Sequence, residues 1–228
     1  MIKNLTLLFV LFCCKTCLGQ VYYNKFAAEV LVGANVVYAD LDTKRSKATV
    51  SANLDYYFTP YANLGFNLQA GNLTGGSSSS DPHQRYFVNN YKAISLNTKL
   101  FLGNFFPLTE NETLAALKNF YVGPGFGVIK NKMTHIIRQK PSSSYIFPGK
   151  DESLNTLLSF TTGLYIPLKD YAGDSIFAIH FNFQSNFTFG EGLDGYDDPK
   201  TKFKNTGIDV YNVISFGLRY SFGPLDFW

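Results

Sequence analysis

The chain has 228 residues, with 17% aromatic and only 16% charged side chains, and a formal charge of +3. That length suits a single all-β domain. Beyond the N-terminus no stretch approaches the roughly 18 uninterrupted apolar residues of a transmembrane helix, and the near-neutral balance excludes the strongly basic surface of a nucleic-acid binder.

Residues 1–19 read as a secretory signal peptide. Lys3 supplies the positive start, Leu5 to Cys14 the apolar stretch, and Cys17-Leu18-Gly19 a small-x-small cleavage site. A lipid-anchor reading is weaker, because bulky Phe12 precedes Cys13 and the polar run Cys14-Lys15-Thr16 precedes Cys17. All three cysteines lie in this segment, so the mature chain has no disulfide and no thiolate for metal or catalysis. Without Lys3 and Lys15 the formal charge falls to +1.

From Phe26 onward the pattern is a period of two, in which alternate side chains point to opposite faces of a strand. The first strand, Phe26 to Tyr38, sets Phe26, Val30, Val32 and Val36 against Glu29, Gly33 and Asn35. After a charged loop, Ala48 to Phe58 sets Val50, Leu54 and Tyr56 against Thr49, Ser51, Asn53, Asp55 and Tyr57. Thr59-Pro60 turns the chain, and Tyr61 to Gly71 sets Leu64, Phe66 and Leu68 against Asn63, Asn67 and Gln69. A long Ser/Asn-rich loop, 72–90, leads to a fourth strand, Tyr91 to Gly103, with Ile94, Leu96 and Leu100 outward and Ser95, Asn97 and Lys99 inward. The connection 104–119 fits least well, since its T-E-N-E-T-L-A-A-L-K run could form a helical turn or two.

The fifth strand, Phe120 to Ile129, contains Pro124, which removes a ladder hydrogen bond and predicts a bulge. A second long loop, 130–152, precedes the sixth strand, Ser153 to Ile166, and a shorter turn the seventh, Ser175 to Phe189. That strand is the most one-sided, with Phe177, Ile179, Phe181, Phe183, Phe187 and Phe189 opposing His180, Asn182, Gln184 and Asn186. A last loop, 190–209, leads to the closing strand, Val210 to Phe222, read V-Y-N-V-I-S-F-G-L-R-Y-S-F and apolar at every second position apart from Asn212.

The strands are about 10–14 residues long, where a tilted membrane strand needs about 9–11. No charge interrupts an apolar face mid-strand, as expected when one Arg or Lys at a bilayer midplane costs about 2–4 kcal/mol. The fold class is therefore all-β, an eight-stranded antiparallel up-and-down transmembrane β-barrel over 20–222, with 223–228 as a short tail. Connections after the first, third, fifth and seventh strands are mostly long and polar, placing them outside the cell.

Two stretches, Tyr121-Val122-Gly123-Pro124-Gly125-Phe126-Gly127 and the closing strand to Phe222, resemble the small eight-stranded outer-membrane barrels of Gram-negative bacteria, the OmpA/OmpX-like porin-family superfamily. The likeness covers nearly all of the mature chain. It implies residence in the outer membrane among lipid and lipopolysaccharide, delivery by the barrel-assembly machinery, and a monomer. The six-residue tail Gly223 to Trp228 departs from chains that stop at the last aromatic of the strand.

An eight-stranded barrel is just wide enough for side chains to fill it. By height and face, Glu29, Asp55, Lys99 and Arg219 are expected to form an interior charge network, with Glu29–Arg219 the best pair across the closing seam. Pairing makes such burial tolerable. Interfacial aromatic girdles are expected at Tyr38, Phe187, Phe189 and Tyr211 on the outer side and at Phe58, Tyr61, Phe120, Phe177, Tyr220 and Phe222 on the inner.

No catalytic, cofactor or metal site is expected. His180 and Ser185 are five residues apart and so on opposite faces, which leaves no nucleophile–base pair. The leading reading is an outer-membrane barrel with a filled lumen, acting as a structural component or through its loops. Its rivals are a narrow channel for small or apolar solutes, a lipid-modifying enzyme, and a soluble lipocalin-like barrel with the faces inverted.

Overall fold

The computed structural model describes residues 22–39, 41, 43–81, 83–105, 117–139, 144–169, 175–190, 192–197 and 208–228. The signal peptide and most of the 104–119 connection lie outside the described residues. Eight strands follow in chain order: β1 Tyr22–Tyr38, β2 Lys44–Thr59, β3 Ala62–Gly76, β4 Tyr86–Phe101, β5 Phe120–Ile137, β6 Glu152–Leu168, β7 Phe177–Phe189 and β8 Ile208–Phe227. Each pairs antiparallel with the next, and β8 closes on β1.

Alternation decides which face is the wall. Val30 is 61% exposed while Glu29 beside it is 2% exposed, and the same contrast runs along every strand. The outer wall carries Leu54, Phe66, Leu96, Phe126, Phe160, Phe181 and Phe216, whereas Ser51, Asn67, Asn97, Thr161 and Gln184 are buried in the lumen. An apolar exterior with a polar interior is the arrangement of a barrel in lipid. The lipocalin-like inversion is thereby overturned.

Several strands run further toward the loop end than their alternation announced, most of all β3 to Gly76, β4 from Tyr86 and β5 to Ile137. In these extensions the outward positions Asn72, Asn90, Lys132 and Thr134 are exposed and polar, while Leu73, Phe87, Asn89 and Asn131 remain buried inside. Above the apolar band both faces mix polar and apolar residues, so the periodic signal fades although the ladder continues.

Two expectations are corrected. Pro124 makes no bulge: Asn97 pairs Gly125 and Leu100 pairs Val122, so equal numbers of residues separate the pairs on both strands. The missing N–H is absorbed without an insertion. Residues 223–227 are not a separate tail either. They continue β8, with Tyr22↔Phe227, Tyr23↔Asp226 and Asn24↔Leu225 in register after an irregularity between Asn24 and Phe26. Gly223 adopts φ +88°, a conformation that favours glycine, and it re-aims the strand. Lys25 then meets Asp226 at 2.9 Å, and the Trp228 ring lies edge-on to Tyr61 at 5.9 Å.

Candidate functional site

The lumen is the chemically distinctive part of the molecule, and it is filled in three tiers. Nearest the termini, inward positions of β1, β2, β4, β6 and β7 converge on Lys99. Its Nζ lies 2.7 Å from Asp55 Oδ2, 3.3 Å from each Glu29 carboxylate oxygen and 2.8 Å from the Tyr165 hydroxyl. Tyr165 donates its own proton to Glu29 Oε1, and Asn53 Nδ2 donates to Glu29 Oε2 at 2.9 Å. His180 Nδ1 stands 3.1 Å from the same Oε2. Glycine at position 65 makes this possible, because a Cβ there would collide with Asp55 Oδ1 and Asn97 Oδ1.

Rings pack round this cluster. Tyr165 stacks on His180 with centroids 4.1 Å apart, and Tyr121, whose hydroxyl is 2.8 Å from His180 Nε2, packs against Phe101 and Tyr165. With Ala27, Tyr57 and Ala178 these aromatics form a buried apolar shell. Pairing the Lys99 ammonium with the two carboxylates matters, because an unpaired charge in this position costs several kcal/mol, on the order of 3–5.

The four charges expected to meet do share this region, but the pairing differs. Glu29 and Arg219 are direct partners in the β1–β8 register, yet Lys99, reaching across from β4, takes the carboxylates. The Arg219 guanidinium instead lies over the Tyr57 and Tyr165 rings, 4.7 and 5.0 Å from their centroids. A planar cation on aromatic faces is a favourable alternative to an ion pair. Tyr165 and His180 complete the cluster. Their inward parity was available, but nothing local marks Tyr165 as the phenol that bridges Lys99 to Glu29.

The middle tier is a belt of amides and hydroxyls. Tyr211 and Tyr91 both donate to Gln69 Oε1, at 3.1 and 3.3 Å, Gln69 Nε2 donates to Gln184 Oε1 at 3.3 Å, and Gln184 Nε2 to Asn186 Oδ1 at 2.9 Å. Above it, the loop-end tier is mostly apolar: Val37, Leu41, Leu73, Phe87, Ile129, Phe147, Leu157, Leu193, Tyr196 and Val213 pack together, and Asn89 Nδ2 donates to Leu193 O at 2.8 Å among them. Leu193 and Tyr196 come from the connection after β7, and Phe147 from that after β5. Tyr196 donates to Ile137 O at 2.7 Å and accepts from Tyr86 N at 3.2 Å, while Arg85 and Arg138 lie over its ring. Burial holds its phenol pKa above the ordinary range. The sequence does not announce Phe147, Leu193 and Tyr196 here, because loop residues carry no parity from which to read their direction.

On the outer wall, Tyr38, Phe58, Phe177, Phe189 and Tyr220 are exposed and Phe120, Phe187 and Phe222 half-buried. Phe222 stacks on Phe26 and Tyr220, each with centroids 5.8 Å apart. Tyr61 sits at the β2–β3 turn, half-buried. Tyr211 does not belong to a girdle: it alternates with outward Val210 and Asn212, is fully buried, and packs its ring on Tyr91. Two polar side chains on the apolar wall satisfy each other, Ser185 Oγ donating to Asn212 Oδ1 at 2.8 Å. Ser185 and His180 thus face opposite sides of β7. Among the described residues no group of three His, Cys, Asp or Glu side chains could hold a metal ion.

No protein-family model matches the chain, and no curated protein sequence does. Solved structures do. The crystal structure of Neisserial surface protein A superposes with a TM-score of 0.50 at 13% identity, covering 90% of this chain and all of that one. Ail, the attachment invasion locus protein of Yersinia pestis, crystallised with the heparin analogue sucrose octasulfate, gives a TM-score of 0.42 at 12% identity over 86% of this chain and 99% of its own. The N-terminal barrel domain of Pseudomonas aeruginosa OprF gives 0.37 at 12% identity, covering 88% and 99%. The closed ring of eight antiparallel strands, its apolar wall and the match to the Neisserial protein agree: the chain has the fold of the small eight-stranded outer-membrane β-barrels.

Proposed function

We propose that the protein is an integral outer-membrane barrel that does not conduct solutes and serves as a structural or surface-interaction component through its loop end. The observation that carries this reading is the filling of the lumen at both ends. Toward the termini, the Lys99 cluster and its aromatic shell occupy the bore; toward the loops, an apolar plug including Phe147, Leu193 and Tyr196 does. Small barrels filled by side chains leave no aqueous path. A non-enzymatic role is supported by the separation of Ser185 from His180, the latter enclosed within the barrel.

On this reading the partners are outer-membrane lipid and lipopolysaccharide around the wall, and the barrel-assembly machinery during insertion. A monomer suffices, because closure of β1 on β8 leaves no open edge to pair. The test is conductance of the refolded full chain in planar bilayers. A filled lumen gives no steady channel, whereas reproducible single-channel steps would replace this reading with the narrow-channel one.

A further inference from the structure

Ser185 on β7 and Asn212 on β8 are register partners on the outer wall, and both are half-buried. The next outward pairs on the same two strands are apolar: Phe187 with Val210 toward the loops, and Phe183 with Ile214 toward the termini. Phe160 on β6 and Val36 on β1 flank them in register. A polar pair is thus enclosed by apolar side chains on the wall that meets hydrocarbon.

The pair is not complete in itself. The Ser185 hydroxyl donates to Asn212 Oδ1 at 2.8 Å, which leaves a lone pair on that oxygen and both protons of Nδ2. No hydrogen bond among the described residues takes up Nδ2. Two other polar side chains of the wall are served within the barrel, Thr98 Oγ1 donating to Pro124 O at 3.4 Å and Thr162 Oγ1 to Tyr121 O at 3.0 Å. In hydrocarbon there is no water to replace such a partner, so an amide donor without an acceptor is costly.

We infer that the wall at β7 and β8 is a docking site for a second copy of this chain, joined across a two-fold axis by the two Asn212 amides. The inference rests on the proposed outer-membrane placement. An amide with a free donor and a free lone pair is complementary to itself, so each Nδ2 donates to the other copy's Oδ1. The relief of the wall agrees. On the β6–β7 side stand Phe160 and Phe183, 58% and 39% exposed. On the β1–β2 side lie Ala34 and Ala48, exposed register partners with small side chains. A two-fold rotation sets the ridge of one copy opposite the depression of the other, so both contacts close together. Small residues permit such close approach in lipid, and polar side chains hold it. Each copy is already a closed barrel, so the pairing is wall against wall and reversible.

The mature chain, which has no cysteine of its own, is labelled at Ser78→Cys with donor or acceptor dye. The two populations are reconstituted together in vesicles of zwitterionic lipid over a range of protein-to-lipid ratios. Energy transfer reads association, and the gel shift between boiled and unboiled samples reads folding. Expected is saturable one-to-one association, weakened about fivefold to tenfold by Asn212→Leu with the gel shift intact. Ala34→Phe, which fills the depression, should weaken it as well, whereas Thr98→Val should leave it unchanged. A wild-type chain that stays single at every ratio, its amide served by lipid or by another protein, overturns the inference. So does undiminished association of Asn212→Leu, or an equal loss in Thr98→Val, and either result leaves the barrel reading standing. A wild-type chain without a boiling-dependent shift would remove the membrane reading itself, and this site with it.

Discussion

The two ends of the lumen solve the same filling problem with different chemistry. Toward the termini, Lys99, Glu29, Asp55 and Tyr165 are all strand residues, and their polar atoms meet within 2.7–3.3 Å of the Lys99 ammonium. Toward the loops the filling is mostly apolar, with Asn89 and Asn131 bonded to each other within it, and Phe147, Leu193 and Tyr196 arrive from connections rather than strands. The difference follows from tolerance. A buried charge demands partners fixed to a fraction of an ångström, which a hydrogen-bonded ladder can deliver. Apolar burial depends on area and volume, and accommodates the looser placement of a loop.

Removing the hub should therefore cost most. Lys99→Met leaves Glu29 and Asp55 buried without their cation and is expected to lower stability by about 3–5 kcal/mol, read as the urea midpoint of the unboiled, folded gel band. Adding Glu29→Gln and Asp55→Asn to that variant should restore most of the loss. A single Lys99→Met as stable as wild type would show that the cluster is not held by charge.

Leu193→Ala tests the other end. A cost of about 2–3 kcal/mol is expected, at the low end for buried leucines, because a loop can settle into the gap. Faster proteolysis of the connections should accompany it while the barrel band persists. Loss of the folded band altogether would mean that the plug is as integral as the charge cluster.

Arg219 distinguishes its observed setting from the ion pair that strand adjacency suggested. Stacked on Tyr57 and Tyr165, it should cost about 1–2 kcal/mol when changed to Met. A loss as large as that of Lys99→Met would restore Glu29–Arg219 as the principal pair. The smallest effect is expected on the wall, where a double-mutant cycle of Ser185→Ala and Asn212→Ala should give a coupling of about 0.6 kcal/mol. A coupling of zero would mean that the bond at 2.8 Å is replaced by other partners in lipid.

The strand count, the faces and the antiparallel order were legible because side-chain direction follows parity, and parity survives any detail of packing. Glu29, Asp55 and Lys99 could be assigned to one interior region on that basis, with Arg219 near them. Tyr211 shows the same rule from the other side: its alternation with Val210 and Asn212 already placed it inside, and the girdle assignment went against it. The strand beyond Gly223 is not legible because glycine and proline break the alternation, while the pairing resumes past the irregularity between Asn24 and Phe26.

What the amino-acid order determined by itself is the membrane-facing barrel, since a period of two over eight segments has one economical solution in lipid. What only the tertiary structure decided is who meets whom inside. Glu29 and Arg219 are neighbours along the seam, yet in a bore this narrow a long side chain on the far wall reaches as easily as one next door. The carboxylates went to Lys99 and Tyr165, the guanidinium to two aromatic faces, and the loops to the apolar mouth. Those choices depend on strand tilt and on distances across the lumen, which no linear spacing encodes.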